Sequence, residues 1–356
     1  MNDNVKIWLI ADTHFGLKSD DQDWLNDYAG YFENTVIPMM KERVGKNDIL
    51  VHCGDVFDNR TIIGLNTISR VVSLFEKFSE VFNDIRIVIG NHDMYKKSSN
   101  DVTSVDVLKH IPNVKIYSEP TVEVISGKTC LFNPWIEDVE KQVEVLKGVD
   151  VNYIFGHLQI GGSKSIDRKG KCVEMKGGVK KSDFKSAQVY AGHIHIRQDM
   201  KNVHYVGNPY HKDKSDIDNI KGITVLDIKT GETEFIENTV SPKFISENIF
   251  DIFETTIGEL KIRWKNNRVE LHLKGEDSIR CNFDEFRSCL NDYYRSFETT
   301  CDNEVKMEIG QQDVDTDLSH AKSNSDQMDD YIKYSDVSPE VAQRVKNRIS
   351  SYIERI

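Results

Sequence analysis

The sequence predicts an α/β fold with a largely parallel sheet, and three observations carry that prediction. Short apolar, β-branched runs recur at 5–10, 49–52, 85–89, 151–155 and 189–191, each of strand length. Helix-period apolar residues lie between the early runs. Trp24, Leu25, Tyr28, Phe32, Thr35, Val36 and Met39 follow the first, and Ile62, Leu65, Ile68, Val71, Val72, Phe75 and Phe78 follow the second. That alternation argues for crossover units. Finally, each run ends in Asp, Asn or His, most of them beside a glycine at 54, 90, 156 or 192. Polar groups just past parallel strands stand where α/β sheets build their sites. Glycine allows the sharp exit where a side chain would crowd such a site.

The first strand delivers Asp12 and His14. The helix after it covers the sheet, and Pro38 is expected to kink or end it. The strand at 49–52 leads into Gly54-Asp55-Val56-Phe57-Asp58, with His52 and Cys53 read as core. The strand at 85–89 gives Gly90-Asn91-His92-Asp93. Residues 98–104 read as a polar surface loop, and 114–117, 122–125 and 130–132 as short strands. Trp135 reads as core packing rather than a substrate platform. His157 follows Gly156, and His193 and His195 follow Gly192. Two histidines two apart in an extended chain point to one side. After them, 203–206, 223–228 and 234–236 read as antiparallel edge strands, with Thr230-Gly231 as a hairpin turn.

The domains are expected at 1–240, 241–309, 310–336 and 337–356. The second is a small α+β cap, with a helical stretch at Ile249, Phe250, Ile252 and Phe253, alternating Val269, Leu271 and Leu273, and a helix over 283–294. The third is acidic and polar, the composition of a linker. The last begins at Ser338-Pro339-Glu340, a helix start. Val341, Val345, Ile349, Tyr352 and Ile353 then form an apolar stripe. So short a helix after a linker must dock, on its own protein or in a partner's groove.

The converging donors suggest two divalent cations sharing Asp55 through its two oxygens. Asp12, His14, Asp55 and His195 would hold one. Asp55, Asn91, His157 and His193 would hold the other. Oxygen donors mixed with imidazole suit Mn²⁺, Fe²⁺ or Zn²⁺ better than Ca²⁺. Such a pair activates water and holds the oxygens of an in-line displacement at phosphorus. His92 stands beside a ligand and suits a general acid or a stabiliser of phosphorane charge. Asp58 would orient His92 and raise its pKa.

The chain has 356 residues, 38% of them hydrophobic, and a formal net charge of −12. That charge excludes an all-over basic coat but not a local basic patch. Over 164–185, eight basic residues outweigh three acidic ones. Lys164, Arg168, Lys169, Lys171, Lys180 and Lys181 are the candidates to contact a phosphate backbone. The six cysteines show no CxxC pair, as free thiols of a reducing cytoplasm would. No signal peptide or apolar run of membrane-spanning length is visible, so no membrane contact is expected.

The five motifs, Asp12-x-His14, Gly54-Asp55-x-x-Asp58, Gly90-Asn91-His92-Asp93, Gly156-His157 and Gly192-His193-x-His195, resemble those of the calcineurin-like metallophosphoesterases. Asp12-Thr13-His14-Phe15-Gly16, Gly54-Asp55-Val56-Phe57-Asp58 and Tyr205-Val206-Gly207-Asn208-Pro209 resemble the SbcD-type nuclease subunits of recombination complexes. The short form looks closest to those of T-even-like phages. The resemblance is clear over about 1–240 and loose beyond.

It implies a four-layer α/β/β/α sandwich with a small cap and a C-terminal helical tail. It also implies Mn²⁺-dependent exonuclease activity on duplex ends and endonuclease activity on single strands, with Mg²⁺ the other candidate metal. The implied partners are DNA and an SbcC-type coiled-coil ABC ATPase gripped by the 341–356 stripe, in a two-plus-two complex around a homodimer. The implied setting is the cytoplasm, the host's for a phage protein. A phosphatase or cyclic-nucleotide phosphodiesterase, or a non-catalytic binding subunit, is the rival reading.

Overall fold

The computed structural model describes residues 5–166, 171–248, 252, 255–273 and 294–301. The chain divides into two compact units, Met1–Ser241 and Pro242–Ile356.

The first unit is an α/β sandwich built on two six-stranded mixed sheets. Five strands of the first sheet are β1 (Lys6–Ile10), β2 (Ile49–His52), β3 (Ile85–Val88), β6 (Val114–Tyr117) and β15 (Gly222–Asp227). With β16 (Thr233–Glu237) their order is β16-β15-β1-β2-β3-β6. The pairs β1–β2, β2–β3 and β3–β6 are parallel, while β15 runs antiparallel to both β1 and β16. The second sheet contains β7 (Thr121–Ile125), β8 (Lys128–Asn133), β9 (Tyr153–His157), β12 (Gln188–Gly192), β13 (Gln198–Met200) and β14 (Val203–Tyr205). Their order is β13-β14-β12-β9-β8-β7.

Side-chain parity along the central strands sets the layers, because successive residues of a strand face opposite sides. Trp8, Ile10, Leu50, Ile85 and Ile87 point outward from the first sheet. There they pack on helices Gln22–Tyr31 and Leu65–Ser79 through Leu25, Tyr28, Val71, Leu74, Phe75 and Phe78. Ile7, Leu9, Ile49, Val51 and Val88 point inward, onto Tyr153, Phe155 and Tyr190 of the second sheet. Ile154, Val189 and Ala191 point out the far side, where Leu146 of helix Val139–Gly148 lies. Helix, sheet, sheet and helix make four layers, as the resemblance implied. Both sheets are covered on both faces, which is why their central strands read as unbroken apolar runs.

Several local expectations change. The first helix does not end at Pro38: a π turn at Phe32–Val36, just before it, joins Gln22–Tyr31 to Ile37–Arg43. Proline lacks an amide hydrogen and its ring crowds the preceding turn, and a widened turn relieves both. Ile62 and Leu65 are 74% and 85% exposed. They precede or open the helix, so the core-facing stripe starts only beyond them. Residues 98–104 are not a plain loop: β4 (Met94–Lys96) and β5 (Ser99–Thr103) form an antiparallel hairpin. β14 is not an antiparallel edge strand, since it pairs in parallel with β12 and antiparallel with β13. The β15–β16 hairpin does turn at Gly231, whose φ is 82°.

In the second unit, β17 (Phe244–Asn248), β18 (Asn267–Leu273) and β19 (Tyr294–Cys301) form a parallel three-stranded sheet. Helix Ile257–Trp264 makes the crossover from β17 to β18, capped by Thr256 and Glu259. Trp264 is buried and donates to Glu247. The strand at 244–248 has no clear signal in the sequence pattern. Tyr294, expected to end a helix, opens a strand, and 283–293 lie outside the described residues. So do 249–251, 253–254, the expected linker at 310–336 and the expected helix at 337–356, with Val341, Val345, Ile349, Tyr352 and Ile353. Among the described residues, no helix is long and apolar enough to cross a membrane. Cys53 and Cys130 are buried free thiols, and Cys172 is an exposed one.

Candidate metal centre

The carboxyl ends of β1, β2 and β3 in one sheet meet those of β9 and β12 in the other. The loops leaving β1 and β2 are zipped together. Asp12 N donates to Gly54 O at 3.0 Å, His14 N to Asp55 O at 3.1 Å and Phe15 N to Val56 O at 2.8 Å. Asp12, His14, Asp55 and His193 all hold positive φ, from 44° to 92°. Each such residue costs roughly 1–3 kcal/mol and persists only where its surroundings fix it.

For Asp55 the fixing residue is Asp93, which is fully buried. Its carboxylate accepts the backbone amides of Asp55 (2.9 Å), Val56 (3.0 Å), Phe57 (3.2 Å) and Gly90 (3.0 Å). It therefore ties the β2 and β3 exit loops into one piece. Burial and the Asp55 charge push its carboxyl up to about 7, against the pull of those amides. Sequence reasoning gives Asp93 no role, although its place in Gly90-Asn91-His92-Asp93 is a visible signal.

Every expected ligand arrives at one place. His14 Nε2 lies 3.2 Å from His195 Nε2 and 3.6 Å from Asp55 Oδ2. His157 Nε2 lies 3.4 Å from Asp55 Oδ2 and 2.9 Å from Asn91 Oδ1, and His193 Nδ1 is 3.0 Å from that Asn91 oxygen. Three donor groups form sets with ligand atoms within 4.8 Å of one another: Asp12, His14 and His195; His14, Asp55 and His92; Asp12, Asp55 and His157. At Asp55, Oδ1 accepts the His92 amide at 2.8 Å, and Oδ2 lies toward both His14 and His157.

The electrostatics fit divalent cations. Burial and the neighbouring Asp55 charge push Asp12 up to about 7, while the His157 charge pulls the other way. Burial also acts to raise Asp55, but His157, His14 and His92 outweigh it and hold it well below the carboxylate range. Burial and Lys212 push His14 down to about 4, and burial and His157 push His193 down to about 3. His195 is held well below its ordinary value by burial and Lys212. Neutral imidazoles beside crowded buried carboxylates are a donor set that a cation satisfies.

Contacts behind the donors fix the ring orientations. His157 Nδ1–H donates to the Cys53 carbonyl at 2.9 Å, which turns Nε2 toward the site. His92 Nδ1–H donates to the backbone carbonyl of Asp58 at 2.6 Å. This corrects the expected pairing, because the Asp58 carboxylate lies 3.2 Å from His14 Nδ1 instead. The Asp58 carboxylate thus faces His14, and its peptide group orients His92. The His14 and His92 rings meet edge-on at 4.8 Å.

Trp135 is half-buried, and its ring lies 4.7 Å from that of His193, so it borders the site as well as packing on the core. Tyr205 hydroxyl donates to Leu158 O at 2.9 Å and accepts from Ile160 N at 3.0 Å, bracing the loop after His157. Of the basic residues, Lys164 and Lys171 lie on or beside a hairpin, β10 (Lys164–Ile166) with β11 (Cys172–Glu174). Lys164, Lys171 and Lys180 are exposed and Lys181 is half-buried. Arg168 and Lys169 lie outside the described residues.

Comparison with known proteins adds to this geometry. The sequence profile described as calcineurin-like phosphoesterase matches residues 5–197. The chain is 29% identical over 246 residues to exonuclease subunit 1 of Enterobacteria phage T4, covering 67% of this chain and 69% of that protein. A protein of unknown function from Aquifex aeolicus aligns at 19% identity and a TM-score of 0.28, over 47% of this chain and 82% of its own. The phosphopantetheinyl hydrolase of Mycobacterium tuberculosis aligns at 12% identity and a TM-score of 0.34, over 59% and 92%.

Proposed function

The chain belongs to the calcineurin-like phosphoesterase family, and from that premise we propose that it is a Mn²⁺-dependent DNA nuclease. In this reading it acts as an exonuclease on duplex ends and an endonuclease on single strands, beside an SbcC-type coiled-coil ATPase. That it is a metal-dependent phosphoester hydrolase follows from the family and from the clustered donors. The choice of DNA is supported by the similarity to a phage exonuclease subunit and by the basic hairpin that follows His157.

The observation that carries the reading is Asp55 Oδ2 standing 3.6 Å from His14 Nε2 and 3.4 Å from His157 Nε2. Asp12, His14, Asp55 and His195 would hold one ion, and Asp55, Asn91, His157 and His193 the other. Bound there, two divalent ions lower the pKa of water and neutralise charge around phosphorus. The water oxygen attacks phosphorus, and the bond to the leaving alkoxide breaks in line with it. His92, its Nδ1–H held by the Asp58 carbonyl, would meet that alkoxide as an imidazolium and give it the Nε2 proton, ending as the neutral Nδ1–H ring. Mn²⁺ is favoured over Mg²⁺ because the donors are rich in imidazole.

The test compares Mn²⁺-dependent cleavage of linear duplex DNA, circular single-stranded DNA and bis-p-nitrophenyl phosphate, before and after chelation. Wild type should cut both DNAs and stop in EDTA. His92→Gln should lower kcat by about 10²–10⁴-fold with Mn²⁺ stoichiometry unchanged. Hydrolysis of the small diester without any DNA cleavage would favour the small-substrate phosphodiesterase.

A further inference from the structure

Behind the ligand His195 lies a buried polar cluster centred on an ion pair. Lys221 is 3% exposed and Asp216 1%. The Lys221 ammonium donates to the His195 carbonyl at 2.9 Å, to Asn208 Oδ1 at 2.5 Å and to the Asp216 carboxylate. Asp216 Oδ2 also accepts the backbone amide of Lys212 at 2.7 Å and the Asn208 side-chain amide at 3.2 Å. The stretch Tyr205-Val206-Gly207-Asn208-Pro209 thereby gains a physical role, because Asn208 joins the cluster to the segment that follows.

That segment is pinned on its other side too. The Tyr210 hydroxyl donates at 2.5 Å to the carbonyl of Thr13, the residue between ligands Asp12 and His14. Its ring stacks on Tyr28 at 3.7 Å, and the Tyr28 hydroxyl donates to the His211 carbonyl at 2.8 Å. Residues 208–213 are therefore fixed to the loops that carry Asp12, His14 and His195.

Lys212 is half-buried on this fixed segment. Its backbone is tied through Asp216 and Lys221 to the His195 carbonyl, and its charge bears on Asp12, His14, Asp58 and His195. Among the described residues no side-chain partner holds its ammonium; its one hydrogen bond, to Asp216, is made by the backbone. Two divalent ions bring four positive charges against the carboxylates of Asp12, Asp55 and Asp58. An added ammonium there increases the positive excess, which only an incoming anion relieves. A lysine fixed beside cations is thus placed for a phosphate oxygen.

We propose that Lys212 is a substrate-contacting residue that grips a non-bridging phosphate oxygen of a phosphodiester on the His14–His195 side of the centre. The assignment deepens the nuclease reading and rests on its phosphodiester chemistry.

Lys212→Gln and Lys212→Arg separate substrate contact from support of the metals. Three measurements are made on the full chain: Mn²⁺ binding by calorimetry, kcat/KM on bis-p-nitrophenyl phosphate and on duplex DNA, and duplex binding in Ca²⁺ across a salt series. Lys212→Gln should lower kcat/KM roughly 10- to 100-fold on either diester. It should flatten the log–log salt slope of DNA binding by about 0.9 and leave Mn²⁺ affinity within about twofold. Lys212→Arg should restore most of the loss. The proposal is overturned if Lys212→Gln keeps kcat/KM within twofold of wild type. It is equally overturned if Mn²⁺ affinity falls in step with activity, since Lys212 would then be shaping the ligands. If wild type hydrolyses the small diester but neither binds nor cuts DNA, the nuclease reading fails and the small diester alone decides Lys212.

Discussion

His157 is where proton and metal compete. Burial acts to lower its pKa, but Asp55 and Asp12 outweigh burial and carry it up to about 9. With Nδ1–H donated to Cys53, the extra proton sits on Nε2, between Asn91 Oδ1 and Asp55 Oδ2. A cation needs that same nitrogen. A group whose folded pKa is raised stabilises the metal-free fold below its unfolded pKa, and loses that contribution as pH rises through about 9. Metal affinity runs the opposite way. Mn²⁺ affinity should rise by about tenfold per pH unit between pH 7 and 9, one proton being displaced. Below pH 7 the rise should be steeper, because Asp12, raised to about 7, must also lose its proton. Calorimetry in buffers of different ionisation enthalpy counts those protons. A flat profile over pH 6–9 would show that His157 is not a ligand.

At the scale of elements, the exit turns decide the site. An ideal Cβ at Gly90 would stand 2.2 Å from Asp55 Oδ1 and 2.3 Å from Asp55 N. Both atoms are structural: Oδ1 receives the His92 amide, and the Asp55 amide is held by Asp93. Gly90→Ala should therefore push the shared carboxylate out of place and reduce bound Mn²⁺ from two ions per chain to one or none, as read by metal analysis of the purified protein. The strands themselves were readable, because a sheet covered on both faces leaves an unbroken apolar run. The π turn, the β4–β5 hairpin and the parallel pairing of β14 were not. Each depends on what packs against the segment, which periodicity does not encode.

For the whole molecule, the division at Ser241 leaves every proposed ligand, His92 and Lys212 within Met1–Ser241. The three hydrophobic clusters that sandwich the two sheets are built from that unit alone. A chain ending at Ser241 should therefore bind two Mn²⁺ ions and hydrolyse bis-p-nitrophenyl phosphate within about threefold of the full chain, an ordinary tolerance for removing a unit with its own core. A loss of metal binding in that fragment would place part of the centre's support in Pro242–Ile356.

The amino-acid sequence alone determined which candidate donors converge and that they stand at strand ends. Residue type and apolar period are local properties, and Asp12, His14, Asp55, Asn91, His157, His193 and His195 each follow or end their strand directly. Only tertiary structure decided the working contacts. Asp55 Oδ1 meets an amide 37 residues away, which leaves Oδ2 toward His14 and His157, and Asp12 receives the His193 amide across 181 residues. The Asp58 carboxylate faces His14 instead of His92, Asp93 joins two exit loops, and Asp216 with Lys221 braces the segment of Lys212. These contacts have fixed reach and direction, so they exist only once segments distant in the sequence have been brought together.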